Sequence, residues 1–438
     1  MSKSKLHEKS APANGTLGLC KSSITKMLLL PDSYNISSTN ELLARMINSH
    51  PVFKKLYRVE LDIQHILESL ENNGLLISHD WVNSEVPNLK SVISNDTSKL
   101  NEMINGQGKS LDRKALLDYW LVNNLEATIN RGSLSKLRKV DTSYDIMYRI
   151  KKQELFLKQW HTDMKLKSKQ TTEGYLLKGS WQSFSSYTGR VNAKNMPLTS
   201  LPSIMRDYVL APEGYRILSV DLNSAELRFL AYYSGCEKML ELLYSGEDLH
   251  TKNAELIMSS LSGRYVLSIS QSRDLAKRYV FMLFYGASLT TIQKSLAKAF
   301  PGLTTADVQK IGVQFEKVYP ELSRFLLLQE SKEKVGTIYG DVHPIAEFTK
   351  QQKRNFQLQS SVAVVIKLLM VKLAENYQLI HVQHDEIWLK APCRLPTKKI
   401  VAEITKDLEG IVQELLPGFP IENILTYKII GGQYYENK

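Results

Sequence analysis

The sequence predicts an α+β protein with two or more packed lobes. Its 438 residues exceed the size at which a single hydrophobic core stops growing. Apolar side chains from Leu61 to Leu70 recur at helical spacing, and the Asn72-Asn73-Gly74 that follows is typical of a helix C-cap. The apolar segments 217–220 and 379–382 instead have the length of strands that alternate with long helices. The chain therefore combines a helical region up to about residue 170 with a mixed region after it.

The composition favours a polyanionic partner. The net charge is +11 and the pI about 9.2, and clustered Lys and Arg gain affinity for phosphates through counterion release. Contents of 43% apolar and 23% charged residues exclude disorder throughout the chain. The segment from Arg131 to Gln170 holds 11 Lys or Arg against 4 Asp or Glu, interleaved with apolar and aromatic residues. This pattern predicts amphipathic helices with a basic outer face, and a charged face that meets only solvent is the alternative.

Cysteine usage and the N-terminus bear on the compartment. Cys20, Cys236 and Cys393 are too far apart for a CxxC metal motif or a disulfide framework, which predicts a reducing environment. No apolar run of membrane-spanning length is evident, so no membrane partner is expected. The first residues lack the apolar core of a secretory signal. Residues 1–55, rich in Ser, Asn and Lys, predict an N-terminal arm or small cap.

The first candidate site is ILSVDLNSAELRFLAYYSG, residues 217 to 235. A strand delivers Asp221 near its C-terminal end, and a helix begins near Ala225 with Glu226 and Arg228 in its first turns. A carboxylate at a strand end is rigidly held and partly exposed, as a ligand of a divalent cation must be. The alternative is that Asp221 only ends the strand and Glu226 favours the helix N-terminus electrostatically.

The second candidate site is RDLAKRYVFMLFYGAS, residues 273 to 288. Arg273, Lys277, Phe281 and Tyr285 recur at every fourth position, so they lie along one slowly spiralling stripe of a helix. Two cations followed by two aromatics extend over roughly 18 Å, enough to reach from a triphosphate to a base. Core packing with a solvent-directed Lys is the alternative, and paired cations fit it poorly.

The third candidate site is HVQHDEIWLK, residues 381 to 390. Its two apolar arms predict a β-hairpin with His384 and Asp385 at or beside the turn and Glu386 next to it. Adjacent carboxylates repel each other, and a bound divalent cation removes that cost. A solvated polar turn is the alternative. Together with Asp221, the hairpin predicts a pair of Mg²⁺ ions shared by two Asp side chains, an arrangement that supports in-line phosphoryl transfer.

These three segments resemble motifs A, B and C of the family A DNA polymerases, the group of bacterial DNA polymerase I. Asp221 to Arg228 is similar to motif A, Arg273 to Gly286 to motif B (R-x3-K-x3-F-x3-Y-G), and His384-Asp385-Glu386 to motif C. Weaker similarity extends from about Tyr57 to the C-terminal end. The resemblance implies a right-hand polymerase fold with an antiparallel palm sheet, helical fingers and a helical thumb. The implied division is an arm or cap at 1–55, the start of the palm and thumb base at 56–95, thumb at 96–175, palm at 176–235, fingers at 236–335 and palm again at 336–438.

The same resemblance implies roles for individual residues. Asp221 and Asp385 would ligate two Mg²⁺ ions, with Mn²⁺ as a substitute, and Glu386 and Lys277 would assist catalysis. The incoming dNTP would meet Arg273, Lys277 and His250 at its triphosphate, Phe281 and Tyr285 at its base, and Glu226 at its sugar, where Glu226 crowds a ribose 2′-OH. The DNA would meet Arg190, Asn355, Gln359 and His384. A fixed donor in the minor groove checks base-pair geometry without reading the sequence.

The implied function is template-directed DNA synthesis, in which dNTPs are added to a primer 3′ end and pyrophosphate is released. The partners expected are primer-template DNA and dNTPs, with the protein a monomer and a replication accessory protein a further partner. The expected location is the cytoplasm of a bacterium or of the host of a phage or plasmid, with an organelle as the alternative. The family's proofreading domain carries an Asp-x-Glu motif, which the roughly 55 residues before the polymerase region lack, so no 3′–5′ exonuclease is expected.

Some positions depart from the family pattern. Leu222 to Ala225 replaces the usual Tyr-Ser-Gln-Ile, Ser360-Ser361 replaces Gly-Thr, and Asp341-Val342 stands where arginines are usual. These changes bear on the grip on template and primer and leave the metal and nucleotide assignments in place. Two other functions stay open, a single-subunit phage-type RNA polymerase and a catalytically silent nucleic-acid-binding protein with the polymerase fold.

Overall fold

The computed structural model describes residues 51–431, apart from Gln107, Lys109, Lys139, 262–264, 298–299, Pro301 and 339–341. The predicted arm at 1–55 lies almost entirely outside the described residues, and so does the departure at Asp341.

Helices dominate the described part of the chain. They are α1 (Pro51–Asn73), α2 (Val86–Met103), α3 (Arg113–Val122), α4 (Arg131–Leu137), α5 (Thr142–Leu157), α6 (Asp163–Lys167), α7 (Ser203–Arg206), α8 (Ala225–Ser234), α9 (Glu237–Tyr244), α10 (Leu249–Ser260), α11 (Ile269–Phe284), α12 (Leu289–Leu296), α13 (Thr305–Val318), α14 (Pro320–Ser331), α15 (Lys350–Ala374) and α16 (Thr397–Leu415). The strands are β1 (Leu75–Ser78), β2 (Lys169–Gln170), β3 (Gly174–Leu177), β4 (Ser180–Gln182), β5 (Asn192–Lys194), β6 (Tyr215–Leu222), β7 (Lys334–Gly336), β8 (Val342–Pro344), β9 (Gln378–Gln383), β10 (Glu386–Pro392) and β11 (Leu425–Ile430). Short π-helical turns lie at Trp81–Glu85 and Lys158–Thr162, and a 3₁₀ turn lies at Leu198–Ser200.

The chain divides into two compact units. Of the described residues, unit 1 comprises 51–71, Trp181–Lys194 and Leu218–Lys428, and unit 2 comprises Asn72–Ser180, Asn195–Ile217 and 429–431. These units cut the chain differently from the predicted palm, fingers and thumb. The boundaries expected from the resemblance therefore stay predictions.

Unit 1 is built on a four-stranded sheet in the order β11-β6-β10-β9. β9 and β10 pair antiparallel, with Gln383 opposite Glu386 and a register shift between Trp388 and Leu389. β6 and β10 are buried along nearly their whole length. Since successive side chains of a strand point to opposite faces, both faces of the sheet are covered at these strands.

The long helix α15 is a core element of unit 1. By length and mean hydropathy, which reaches 1.5 over 18 residues, it is the one helix of the described part that could cross a membrane. An apolar run of this length was not expected from the sequence. Because 72% of that window is buried inside the protein, the helix has the environment of a core helix. Its Lys367 is itself buried and donates from Nζ to Oε1 of Glu60 on α1 at 2.6 Å.

Unit 2 has its own core, which includes the predicted amphipathic segment. The rings of Trp120 and Tyr144 stack at 4.8 Å, and Asp141 caps α5 by accepting from the Ser143 backbone N–H at 2.8 Å. Leu134, Tyr144 and Trp160 are buried, whereas Lys152, Lys158 and Lys165 are exposed. The prediction that apolar residues pack while the basic ones face outward is confirmed for these positions.

The expectation of a helical region up to about residue 170 is wrong at Leu75–Ser78. These residues form β1, which pairs antiparallel with β3, so that Ser78 lies opposite Gly174. A Cβ at Gly174 would lie 2.0 Å from the carbonyl oxygen of Ile77, so a side chain at that position would prevent the pairing. The error arose because a four-residue apolar run has no periodicity of its own, and its partner strand lies far along the chain.

Candidate active site

Asp221 and Asp385 lie at neighbouring strands of the unit 1 sheet. Asp221 is the penultimate residue of β6, and Asp385 directly precedes the adjacent β10. The backbone N–H of Leu222 donates to the carbonyl oxygen of Asp385 at 3.2 Å, and both Asp side chains are partly buried. The predicted strand before Asp221 and the helix that begins at Ala225 are confirmed. Two segments distant in sequence thus meet at one end of the two central strands of the sheet.

The predicted hairpin is also confirmed. Gln383 pairs with Glu386, which leaves His384 and Asp385 as the two residues of the turn. His384 has a φ of +55°, a left-handed conformation that few residues other than glycine adopt. His384 is exposed while Asp385 is partly buried, so the turn separates a solvent-facing imidazole from a recessed carboxylate.

Burial and neighbouring charges perturb Asp385. The pKa of Asp385 is raised to about 6, mainly by burial; the Arg190 charge opposes this rise, and the charges of Glu226 and Asp221 add to it. The charges of three ionisable side chains therefore act on Asp385, so that four such groups lie together at this end of the strands. Because three of the four are carboxyls, the site favours a cation.

Glu386 is turned into the sheet. Its Oε1 accepts a hydrogen bond from the Ser219 hydroxyl of β6 and one from Trp388 Nε1, the latter at 2.8 Å. The Glu386 side chain is buried, with 8% exposure. These contacts tie β6 to β10 next to the two Asp residues. The structure thus gives Glu386 a role in holding the hairpin, and its predicted assistance to catalysis stays a prediction.

Glu226 lies between Arg190 and Tyr285. Its Oε1 accepts from Arg190 Nη2 and its Oε2 accepts from the Tyr285 hydroxyl. Glu226 is 9% exposed, and burial together with the Glu226 carboxylate raises the pKa of Tyr285. Both carboxylate oxygens are therefore held by named donors. This contact connects the start of α8, the end of α11 and the turn that carries Arg190.

The stripe predicted on motif B runs along α11, away from its core side. The core side consists of Leu275, Ala276, Tyr279, Val280 and Phe284, which are all buried. Arg273 and Lys277 are exposed, and Phe281 and Tyr285 are only partly buried. The rings of Phe281 and Tyr285 lie 5.9 Å apart. Cations and aromatics are thus available to a ligand along one side of the helix.

His250 lies beneath the aromatic part of this stripe. It is the second residue of α10, is 3% exposed, and its ring lies 6.0 Å from that of Phe281. Burial lowers the pKa of His250 to about 4; the Asp248 charge raises it, and the charges of Lys277 and Arg273 lower it. The imidazole is therefore neutral near pH 7.

Asp248 was not singled out from the sequence, yet it contacts a predicted phosphate-binding residue. Arg273 donates to both of its carboxylate oxygens, from Nε at 2.6 Å and from Nη2 at 3.0 Å. The spacing of Asp248 and Thr251 signals the start of a helix, because Asp is a common N-cap. That signal predicts Asp248 as the start of a helix, but it does not predict the ion pair with Arg273.

Arg228 of motif A is a structural anchor. It is 3% exposed and donates to the backbone carbonyls of Asn223, Pro420 and Glu422, each at 2.9 Å. The predicted DNA-contacting residues lie in three other places, one of which is the β9–β10 turn that carries His384. Arg190 follows Gly189, whose φ is +78°, and Asn355 and Gln359 lie one turn apart on α15, with Asn355 buried.

Asp221 and Asp385 are the carboxylates of this site that could hold a divalent cation such as Mg²⁺. Among the residues the structure describes, no group of three or more His, Cys, Asp or Glu is arranged to hold a metal. Mg²⁺ keeps several waters and is commonly bound by one or two carboxylates plus substrate phosphates. Asp221 and Asp385 would supply two such carboxylates.

The fold is that of a right-hand polymerase. The POL domain of Pol1 from M. smegmatis, solved in a complex with DNA primer-template and dNTP, superposes with a TM-score of 0.72 at 18% identity, covering 90% of this chain and 72% of that one. The model of the family described as DNA polymerase family A matches residues 122–415. The chain belongs to DNA polymerase family A. The α+β right-hand fold and the family resemblance predicted from the sequence are thereby confirmed.

This chain matches only part of the length of its similar proteins. The thermostable DNA polymerase I of Thermus aquaticus is 28% identical over 52% of this chain and 30% of its own length. The DNA polymerase of Mycobacterium phage D29 is 26% identical over 47% of this chain and 34% of its own length. The DNA polymerase I of Chloroflexus aurantiacus is 23% identical over 80% of this chain and 41% of its own length. The chain thus matches well under half of each of these relatives.

Proposed function

We propose that this protein is a template-directed DNA polymerase that adds dNTPs to a primer 3′ end and releases pyrophosphate. The observation that carries the proposal is the meeting of Asp221 and Asp385 at adjacent strands, joined through Glu226 to Tyr285 at the end of α11. Nucleotidyl transfer needs little beyond positioning and charge neutralisation, and this arrangement supports both. The DNA primer-template and dNTP in the M. smegmatis complex support the same partners here.

Asp221 and Asp385 would hold a pair of Mg²⁺ ions, for which Mn²⁺ would substitute. When bound, these ions supply charge stabilisation to the entering and leaving oxygens. The protein's part is to keep the two carboxylates fixed. The backbone bond from Leu222 to Asp385 joins their strands, and Ser219 and Trp388 anchor the hairpin through Glu386.

The exposed part of α11 would bind the dNTP. Arg273 and Lys277 would contact the triphosphate as cations, and neutral His250 would donate a hydrogen bond to it. Phe281 and Tyr285 would border the base, since base–aromatic stacking tolerates any base. Lys277, an exposed ammonium, would also stabilise the charge on the departing pyrophosphate.

Glu226 would exclude ribonucleotides by occupying the space of a 2′-OH. A steric gate must not move aside, and both oxygens of Glu226 accept hydrogen bonds, one from Arg190 and one from Tyr285. A gate held at both oxygens favours DNA synthesis over RNA synthesis. This observation supports the DNA polymerase over the phage-type RNA polymerase.

DNA would be contacted by Arg190, Asn355, Gln359 and His384 near the active site. The basic outer face of unit 2 at Lys152, Lys158 and Lys165 would bind duplex phosphates regardless of sequence. We further propose that the protein acts as a monomer and works with a replication accessory protein. Its proposed location is the cytoplasm of a bacterium or of the host of a phage or plasmid.

Primer extension tests the function. A labelled primer on a longer template is incubated with Mg²⁺ and either four dNTPs or four rNTPs. Extension with dNTPs that stops on addition of a chelator is expected, with far less extension from rNTPs. Binding of primer-template without extension would favour the catalytically silent alternative.

A further inference from the structure

A bidentate ion pair joins α10 to α11 in unit 1. Arg273 donates to Asp248 from Nε at 2.6 Å and from Nη2 at 3.0 Å, and both side chains remain partly exposed, at 44% and 42%. Bidentate pairs between a guanidinium and a carboxylate are geometrically specific as well as strong. Asp248 is not among the residues expected to contact metal, dNTP or DNA.

We propose that Asp248 is a positioning residue for the incoming dNTP, which holds the Arg273 guanidinium in place and leaves its remaining N–H groups available to a phosphate. This inference rests on the proposed polymerase function. A guanidinium carries five N–H donors, and the ion pair uses one at Nε and one at Nη2. Nη1 and the second N–H of Nη2 take no part in it.

The carboxylate is itself fixed. Oδ2 of Asp248 accepts from the Thr251 backbone N–H at 3.2 Å and from the Thr251 hydroxyl at 2.6 Å, as the N-cap of α10. If Arg273 moved away from this position, Asp248 could move with it only by breaking its hydrogen bonds to Thr251. Asp248 therefore fixes Arg273 to the helix end, whereas an exposed Arg alone would sample many rotamers and lose that freedom on binding.

Near neutral pH both members of the pair are charged. Burial by itself would raise the pKa of Asp248, but the hydrogen bonds from Arg273 and Thr251 and the charges of Arg273 and His250 bring it down to about 2. Although Asp248 neutralises one cation, exposed Lys277 keeps the phosphate end of the stripe positive. The Asp248 carboxylate therefore cancels only the positive charge of Arg273, and the attraction of Lys277 for the triphosphate remains.

Asp248→Asn separates positioning from helix capping. Asn is as good an N-cap as Asp, so α10 is preserved while the charged bidentate pair is removed. We expect the KM for dNTP in primer extension to rise roughly threefold to tenfold, the cost of ordering one long side chain. The kcat is expected to stay within about twofold, because an interaction that stabilises the ground state and the transition state equally affects KM alone.

Two further variants show whether Asp248 acts through Arg273. Asp274→Asn is the matched control. Asp274 directly follows Arg273 on α11, but it pairs with Arg278 and not with Arg273. The KM of this variant is expected to equal that of the wild type. Arg273→Lys cannot form the bidentate pair, so adding Asp248→Asn to it is expected to raise KM no further. Asp248→Ser, which keeps a capping hydroxyl, repeats the test if the Asn variant does not fold.

A KM that is unchanged or lower in Asp248→Asn would overturn the proposal, the lower value indicating that Asp248 competes with the triphosphate. An equal rise in the Arg273→Lys background would also overturn it, since Asp248 would then act independently of Arg273. Failure of the wild-type protein to extend any primer would instead contradict the proposed function itself.

Discussion

The backbone N–H of Leu222 donates to the carbonyl oxygen of Asp385 at 3.2 Å. This bond joins the residue after Asp221 to the turn of the β9–β10 hairpin, and it fixes the chain on both sides of the candidate metal site. A carboxylate pair mounted on adjacent strands is held more rigidly than one on loops. The geometry makes the contribution of each Asp separately testable.

Asp385→Asn is expected to reduce primer extension by at least about a hundredfold, because the amide cannot neutralise or fix a divalent cation as the carboxylate does. The change is isosteric, so folding is expected to be retained and can be checked by thermal unfolding. Asp407→Asn in α16, outside the candidate site, is the control and is expected to keep wild-type activity. Near-normal extension by the Asp385 variant would remove this residue from the mechanism.

Glu226→Ala is expected to raise rNTP incorporation relative to dNTP by about tenfold to a hundredfold, because the space for the 2′-OH opens. Tyr285→Phe removes one of the two donors that hold Glu226 and should produce a smaller change in the same direction. The measurement is the ratio of kcat/KM for dATP and ATP on one primed template. Glu255→Ala on the exposed surface of α10 serves as control. An unchanged ratio in Glu226→Ala would exclude the steric role.

Lys367→Met is expected to destabilise unit 1 by about 3–5 kcal/mol, because Glu60 is left as an unpaired buried charge. The two side chains are only 3% and 1% exposed. The matched control is Lys372→Met on the same helix, where the pair with Glu375 is 40% and 56% exposed and a change within about 1 kcal/mol is expected. Urea unfolding measures both. The double variant Glu60→Gln, Lys367→Met is expected to recover part of the lost stability. Equal destabilisation by Lys367→Met and Lys372→Met would contradict this account.

His250 predicts a loss of stability in mild acid. Burial lowers its folded-state pKa to about 4, below the ordinary 6.5, so the unfolded chain binds more protons between these values. This destabilisation by His250 is absent well above pH 6.5, and it grows as the pH falls from 6.5 towards 4. Between pH 7 and 5 the free energy of unfolding should drop by about 2 kcal/mol more in the wild type than in His250→Gln. Parallel pH profiles for the two proteins would show that the imidazole does not titrate as its burial implies.

Several features of this protein could be read from local sequence. The strand before Asp221, the helix from Arg273 to Phe284 and the hairpin around His384-Asp385 each follow from periodicity or turn chemistry within one short segment. The missed strand β1 has no such local signal. It depends on Gly174, where any side chain would collide with the Ile77 carbonyl, and the sequence does not say which glycine meets which strand.

The site divides in the same way. The three motifs identify Asp221, Arg273, Tyr285 and Asp385 as candidates, because their residue types and spacings are unusual. The partners of these residues could not be predicted: Asp248 on Arg273, Arg190 and Tyr285 on Glu226, and Ser219 and Trp388 on Glu386. Each of these contacts joins side chains through a particular distance and direction rather than through a pattern.

The sequence by itself determined the family, the fold class and the identity of the candidate residues, because periodicity, turn residues and motif spacing act over short stretches of chain. Only the tertiary structure decided that Glu226 is held at both oxygens, that Glu386 faces into the sheet and that Asp248 binds Arg273. The physical reason is that hydrogen bonds and ion pairs form only within a few ångströms. Which distant side chains come that close is set by packing of the whole unit, not by neighbours in sequence.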